Sequence, residues 1–234
     1  MIYRKHITMG LLGGLLLAIP SLQAAVLAPG AIPTAPDSFN GLPLLGPVAP
    51  LEASAVTAAT FSGTLLSGVF TDGVTGDLDF VYQYTANVTA PEQGVEKITA
   101  ASYNPSIADG TFADAFGAGA GVDMGIINVG PIPAGFVAGT FAPDLVTRSG
   151  DGTVVGFNFD GNFAIPAGGI SDVLVVRTHA TTFTMGQGGV IDSSTGNTSV
   201  YAPSPEPRLA GLAALGLFGL VGFFFRRRKV QATE

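Results

Sequence analysis

The sequence predicts an all-β protein: an antiparallel two-sheet β-sandwich, jelly-roll-like, with an N-terminal signal helix and a single C-terminal transmembrane helix at its ends. Three observations carry that prediction. The interior divides into short runs rich in Val, Thr, Phe and Tyr, separated by clusters of Gly, Asp, Asn and Pro, which is how strands and turns are spaced in sandwiches and barrels. No interior run repeats its apolar residues at the helical period. The two candidate helices are the uncharged, apolar runs near the ends, 7–20 and 209–225.

In chain order, the first element is a signal peptide over 1–24. Arg4, Lys5 and His6 make a basic start, and Ile7 to Pro20 an apolar stretch too short to span a bilayer easily. Ser21-Leu22-Gln23-Ala24 ends on a small residue, so signal peptidase is expected to cut after Ala24, with Ala25 as the fallback. Residues 25–51 carry Pro29, Pro33, Pro36, Pro43, Pro47 and Pro50 among Ala and Gly, with little alternation. They read as a Pro/Ala-rich extended arm, to which no regular secondary structure is assigned.

The β-sandwich ectodomain is expected over 52–203. Its clearest strand is 78–84, where Leu78, Phe80, Tyr82 and Tyr84 fall on one face and Asp79, Val81 and Gln83 on the other. Residues 64–71 make a second β-like run, and Asp72-Gly73-Val74-Thr75-Gly76-Asp77 is dense in turn formers, so the two runs are expected to pair as a hairpin. Further runs are 95–103, 121–129, 135–141, 153–159, 173–184 and 189–201. The stretch Val173-Leu174-Val175-Val176, apolar on both faces, suggests a central strand. Residues 105–121, rich in Gly and Ala, read as a long surface loop.

Charge and composition limit what the interior binds. The whole chain has a formal charge of −7, but this conceals an asymmetry. Between residues 25 and 204 only Lys97, Arg148 and Arg177 are basic, against fifteen acidic residues, a formal balance of −12. Such a domain repels nucleic acid and anionic lipid, leaving neutral glycans, cations and basic surfaces as partners. With no cysteine, disulfides and thiolate metal sites are excluded.

The residues most able to carry chemistry are carboxylates and amides in turns: Asp72, Asp77 and Asp79 around the first hairpin, Asp151 in Ser149-Gly-Asp-Gly152, and Asn158, Asp160 and Asn162. Oxygen ligands of this kind suit Ca²⁺ as a cofactor. Their spacing matches no EF-hand or nonapeptide calcium repeat, and Asp, Asn and Gly are also what β-turns require. His179 is the only histidine in the interior; as a general base it would need a nucleophile and an orienting carboxylate, and no local motif supplies them. No catalytic residue is assigned. Paired carboxylates for glycoside hydrolysis stay open, because their spacing is spatial rather than sequential.

The tail, 204–234, has three parts in fixed order: Pro205-Glu206-Pro207, an uncharged apolar run 209–225, and the basic cluster Arg226, Arg227, Arg228 and Lys229. As a helix the run would extend about 25 Å, just short of a comfortable membrane span. The positive-inside rule keeps the basic cluster in the cytoplasm, which puts the helix N-terminus and everything before it outside.

This tripartite tail, with the signal peptide as its companion, resembles the sorting domain of PEP-CTERM exported proteins, a tail also labelled after an ice-binding protein. The resemblance implies that an exosortase, a membrane cysteine protease-transpeptidase, cuts near Pro205-Glu206-Pro207, in bacteria that make exopolysaccharide and biofilm. Membrane anchoring would then be temporary, with the cell surface or extracellular matrix as destination. Arg208, directly after the triplet, departs from the small or polar residues usual there and puts a charge at the outer membrane edge. The resemblance confers no ice binding, and regular Thr-x-Thr ladders are absent from this chain.

Three functional expectations follow. The first is a non-enzymatic surface or matrix protein with a structural or adhesive role. The second is a carbohydrate- or calcium-binding module of the same location, and the third a secreted hydrolase.

Overall fold

The alternation read over 78–84 is the key to how the chain folds, because its two faces enter two different cores. A computed structural model describes residues 26–88, 94–103, 122–159 and 164–204. The signal peptide, Ala24 and Ala25, the loop 105–121, Asp160 and Asn162, and the whole tail from Pro205 lie outside the described residues.

The described residues form strands and loops and no helix. The strands are β1 (Val26–Leu27), β2 (Asp37–Ser38), β3 (Leu44–Pro47), β4 (Glu52–Thr57), β5 (Ser62–Asp72), β6 (Leu78–Ala86), β7 (Lys97–Ala101), β8 (Val122–Ile127), β9 (Leu145–Arg148), β10 (Val154–Asn158), β11 (Val173–Arg177), β12 (Phe183–Ile191) and β13 (Thr195–Pro203). The first sheet runs β1-β8-β11-β6-β5-β3, with β2 also on β8 and β4 also on β5; the second runs β13-β12-β7-β10-β9. The expected all-β, two-sheet class is what the structure shows. Every pairing between these strands is antiparallel except a two-residue parallel contact of β2 with β8, and the isolated bridge of Phe141 with Ser171 is parallel too.

Leu78, Phe80, Tyr82 and Tyr84 of β6 join Met124, Leu174 and Val176 of the first sheet against Ile98, Val146, Val155, Phe157, Val190 and Val200 of the second. This is the inter-sheet core. On the opposite face of the first sheet, Phe70, Val81, Ile127, Val173 and Val175 form a second cluster with Phe39 and Phe136, flanked by Leu42, Leu44, Leu51 and Ile132. The second cluster exists because residues 26–51 pack onto this face. β1 and β2 follow the edge of β8, Thr34 bridges across to Val146 of the second sheet, and β3 reaches β5 on the far side. The arm is therefore a strap over the outer face, fastened at both edges of the sheet.

The strap lies close because Gly125 of β8 has no side chain: a Cβ there would meet the Asp37 carbonyl oxygen at 2.4 Å and the Phe39 ring at 2.7 Å. Residues 135–141, expected as a strand, form a loop over the same face instead. Gln83 takes the place of a strand partner: its Nε2 donates to the Val137 carbonyl (2.7 Å) and its Oε1 accepts from the Val137 N–H (3.1 Å). The expected single run 173–184 divides between sheets after Arg177. There the Thr178 hydroxyl donates to the Leu78 carbonyl (2.7 Å) and accepts from the Ala180 N–H (3.0 Å), drawing the backbone out of the ladder. The run 189–201 is likewise two strands, turned at Asp192-Ser193-Ser194.

Candidate functional site

The β5–β6 hairpin forms as the turn residues predict. Asp72 Oδ1 accepts from the N–H groups of Val74 (2.7 Å) and Thr75 (3.3 Å), and Gly76 turns at φ +82°. Antiparallel register then lines up charged residues from separate strands. Arg177 of β11 lies directly opposite Asp79 of β6 on one side and Asp123 of β8 on the other. Directly opposed residues share a face, so these three side chains form a row on the strap side. Asp72, at the end of β5, joins them.

Arg177 is ion-paired with Asp72 through its Nη2. Its Nε is 4.0 Å from Asp79 and its Nη1 3.7 Å from Asp123, and the guanidinium lies 5.6 Å from the centre of the Phe39 ring. Asp79 and Asp123 are buried at 0% and 1% exposure with little hydrogen bonding to offset it: the Thr178 N–H lowers Asp79, but as the smallest of the influences on it. A dehydrated carboxylate with so few donors is costly as an anion, so the neutral form is favoured. Burial first, then the charge of Asp72, pushes Asp79 up to about 8. Burial first, then the charge of Asp37 and a hydrogen bond with it, pushes Asp123 up to about 7. Asp72 behaves oppositely: burial works to raise it but is outweighed by the bond from Arg177, the Val74 N–H and the Arg177 charge, which together hold it below the usual carboxylate range.

Beside this row, His179 Nδ1 meets Asp77 Oδ2 at 2.5 Å, with both side chains partly exposed. The orienting carboxylate that no local motif offered thus comes from 102 positions away.

Of the residues predicted to suit Ca²⁺, the fold brings Asp72 and Asp79 together and sets Asp77 beside them, on His179. Asp151 belongs elsewhere, in the exposed β9–β10 turn of the second sheet. It accepts there from the Ser149 hydroxyl (2.6 Å), the Thr153 N–H (3.0 Å) and the Thr153 hydroxyl (2.8 Å), which pull it down to about 2, Ser149 contributing most. Asp160 lies outside the described residues. Among the described residues, no three His, Asp or Glu side chains are arranged to hold a metal ion. At the Asp72–Asp79 end the position a cation would take is filled by Arg177.

Sequence reasoning singled out neither Asp123 nor Arg177 nor Asp37 for a site. One signal was available: Asp123 and Arg177 each adjoin apolar residues in a β-type run, and ionised groups are rarely buried unless paired. Away from the cluster, an open groove of about 540 Å³ runs between β4 and the β12–β13 hairpin, lined by Glu52, Ser54, Gln187, Asn197, Thr198 and Ser199 among others.

No protein-family model, no curated protein and no solved structure matches this chain. Its class therefore rests on the fold itself, an all-β protein of two packed sheets. No helix among the described residues is long and apolar enough to cross a membrane.

Proposed function

We propose that this chain is an exported cell-surface or extracellular-matrix protein, sorted and processed by an exosortase, with a non-enzymatic structural or adhesive role in exopolysaccharide or biofilm. One observation carries the reading: the triplet Pro205-Glu206-Pro207, the apolar run 209–225 and the basic cluster 226–229 follow in order, starting two residues after β13 ends at Pro203. Signal peptidase frees the N-terminus at Ala24 or Ala25, and the tail holds the domain to the membrane until it is cut. The domain's acidic balance and lack of cysteine suit contact with neutral or basic surfaces outside the cell and not with nucleic acid. The jelly-roll-like form expected for the sandwich fits the connections that cross between sheets, such as β6 to β7 and β10 to β11. It fits less well the hairpins β5–β6, β9–β10 and β12–β13, which stay within one sheet.

Mass spectrometry of surface-released protein tests the sorting. Chains starting near Ala25 and ending near Pro205 are expected, with the tail retained in an exosortase-deficient strain. Released chains that still reach Glu234 would defeat the proposal.

A second reading, a carbohydrate-binding module, draws on the groove between β4 and β12–β13, whose hydroxyl, amide and carboxylate groups match the hydrogen-bonding demands of a neutral glycan. Glycan-array binding that is lost in Asn197→Ala but kept in Asp151→Asn would favour it; no binding to any neutral glycan would remove it.

A further inference from the structure

We propose that the open edge of β13, along the groove between β4 and the β12–β13 hairpin, takes up an extended, positively charged peptide segment as an added β-strand. Among the described residues β13 ends the second sheet, with β12 on one side and no strand on the other. The far end of that sheet is treated differently, since Thr34 of the strap bridges to Val146 of β9. Natural edge strands are commonly blunted by lysine, proline or a bulge. Along the groove β13 has none of these: 195–199 reads Thr-Gly-Asn-Thr-Ser, and its ladder with β12 runs in unbroken register.

Strand alternation shows which backbone groups are on offer. The Tyr201 N–H donates to the Ser67 hydroxyl at 3.2 Å and the Tyr201 carbonyl accepts from the Tyr82 hydroxyl at 2.6 Å, so the backbone of Tyr201 is turned away from β12. Alternate residues of an antiparallel strand direct their N–H and C=O to the same side. Ser199 and Asn197 therefore present theirs at the open edge, and both residues line the groove. β4 forms the opposite wall in the same way. The Ala55 carbonyl accepts from the Thr198 hydroxyl at 3.3 Å and so is turned from β5, and Ala53, two residues back, shares its orientation. The groove, of about 540 Å³, thus lies between two backbone edges, and such edges recognise main chain.

Charge selects the occupant. Among the lining residues only Glu52 is ionisable, its Oε1 accepting from the Ser54 hydroxyl at 3.2 Å. Of the three basic residues between 25 and 204, Arg148 and Arg177 are buried, which leaves the partly exposed Lys97. A lysine or arginine in the incoming strand is drawn to Glu52, whereas a second copy of this chain brings the same acidic balance and is repelled. The carbohydrate reading uses the same groove but different atoms. A glycan would be held by the side chains of Gln187, Asn197 and Ser199; an added strand is held by the backbone of Asn197 and Ser199.

Fluorescence anisotropy tests this, with the full-length chain in detergent and a labelled hexapeptide of alternating lysine and valine. Saturable binding is expected, and a clear loss when glutamate replaces lysine in the peptide. Ser199→Pro removes only the outward N–H and leaves the ladder with β12 whole, as proline on an edge strand does. It should weaken binding about tenfold, whereas Asn197→Ala should change it less than about twofold. No binding, equal binding of the glutamate peptide, full binding to Ser199→Pro, or an equal loss in Asn197→Ala would each overturn the proposal, and the last would return the groove to side-chain recognition of a glycan. Should Ser199→Pro fail to fold, two N-methylated forms of the lysine peptide, blocking alternate amides, decide the matter on the unsubstituted chain: loss of binding by one form alone supports the added strand, and equal binding by both overturns it.

Discussion

The two faces of the first sheet solve the burial of polar groups differently. Toward the second sheet, the polar groups are hydroxyls with partners close by. The Tyr103 hydroxyl meets that of Tyr82 at 2.6 Å, and Tyr82 donates to the Tyr201 carbonyl at 2.6 Å, with the Tyr84 hydroxyl as the exception that lacks a partner. Toward the strap, Phe70, Val81, Val173 and Val175 give way at the strand ends to Asp72, Asp79, Asp123 and Arg177. The first core is stabilised by apolar contact and by hydrogen bonds whose groups do not titrate near neutrality, among them those of the buried Arg148, opposite Val155, which donates to the Leu27 (3.0 Å) and Gly152 (3.1 Å) carbonyls. The second joins apolar contact to a charge balance that needs protons. One sheet therefore offers a pH-insensitive side and a pH-sensitive one.

The sharpest contrast is expected from Phe80→Ala, on the inter-sheet side. A buried phenylalanine removed to a cavity should cost about 4 kcal/mol in urea unfolding, by nearly the same amount at pH 5 and pH 8. Arg177→Met, on the strap side, should cost about 3 kcal/mol at pH 8, where it strands carboxylates without their cation, and distinctly less at pH 5, where Asp79 and Asp123 are neutral. Equal losses for Arg177→Met at both pH values would erase the distinction between the faces.

The unsubstituted chain should itself lose on the order of a few kcal/mol between pH 5 and pH 8.5. Asp79 and Asp123, raised to about 8 and about 7, contribute below the ordinary carboxylate value and lose that contribution as pH rises through those points. Asp72, held low, works the other way: its contribution is present above the ordinary value and fades as pH falls below it. Greatest stability is thus expected near pH 4–5, read from urea midpoints across the range. Gly125→Ala should cost about 1–3 kcal/mol by forcing the strap away from β8, with exchange rising in 37–39 and not in β12. The smallest effect is expected from calcium. Because Arg177 occupies the place beside Asp72, millimolar Ca²⁺ should move the thermal midpoint by less than about 1 °C, and a clear rise would favour the calcium-binding reading.

Much of the fold is legible locally. The alternation of Leu78, Phe80, Tyr82 and Tyr84 with Asp79, Val81 and Gln83 already sorts the two faces of β6, and the turn from Asp72 to Asp77 marks the hairpin. The strap is not legible, because proline spacing describes a stiff extended chain without saying what it lies against. Nor is the loop at 135–141, whose β-type residues are held by the side chain of Gln83 and not by a ladder. The candidate cluster was half visible. Asp72 and Asp79 stand out in a turn-rich stretch, whereas Asp123 and Arg177 are single charges in apolar runs.

By itself the sequence determined the all-β class, the hairpin from β5 to β6, the acidic balance of the interior and the order of parts in the tail. These depend on period, on turn chemistry and on counting, and all three are properties of neighbours along the chain. Only the tertiary structure decided that Arg177 sits between Asp79 and Asp123, that Asp77 finds His179, and that residues 26–51 close over the outer face. Strand register sets those meetings, and register depends on hydrogen bonds between segments up to about a hundred residues apart, which no local pattern encodes.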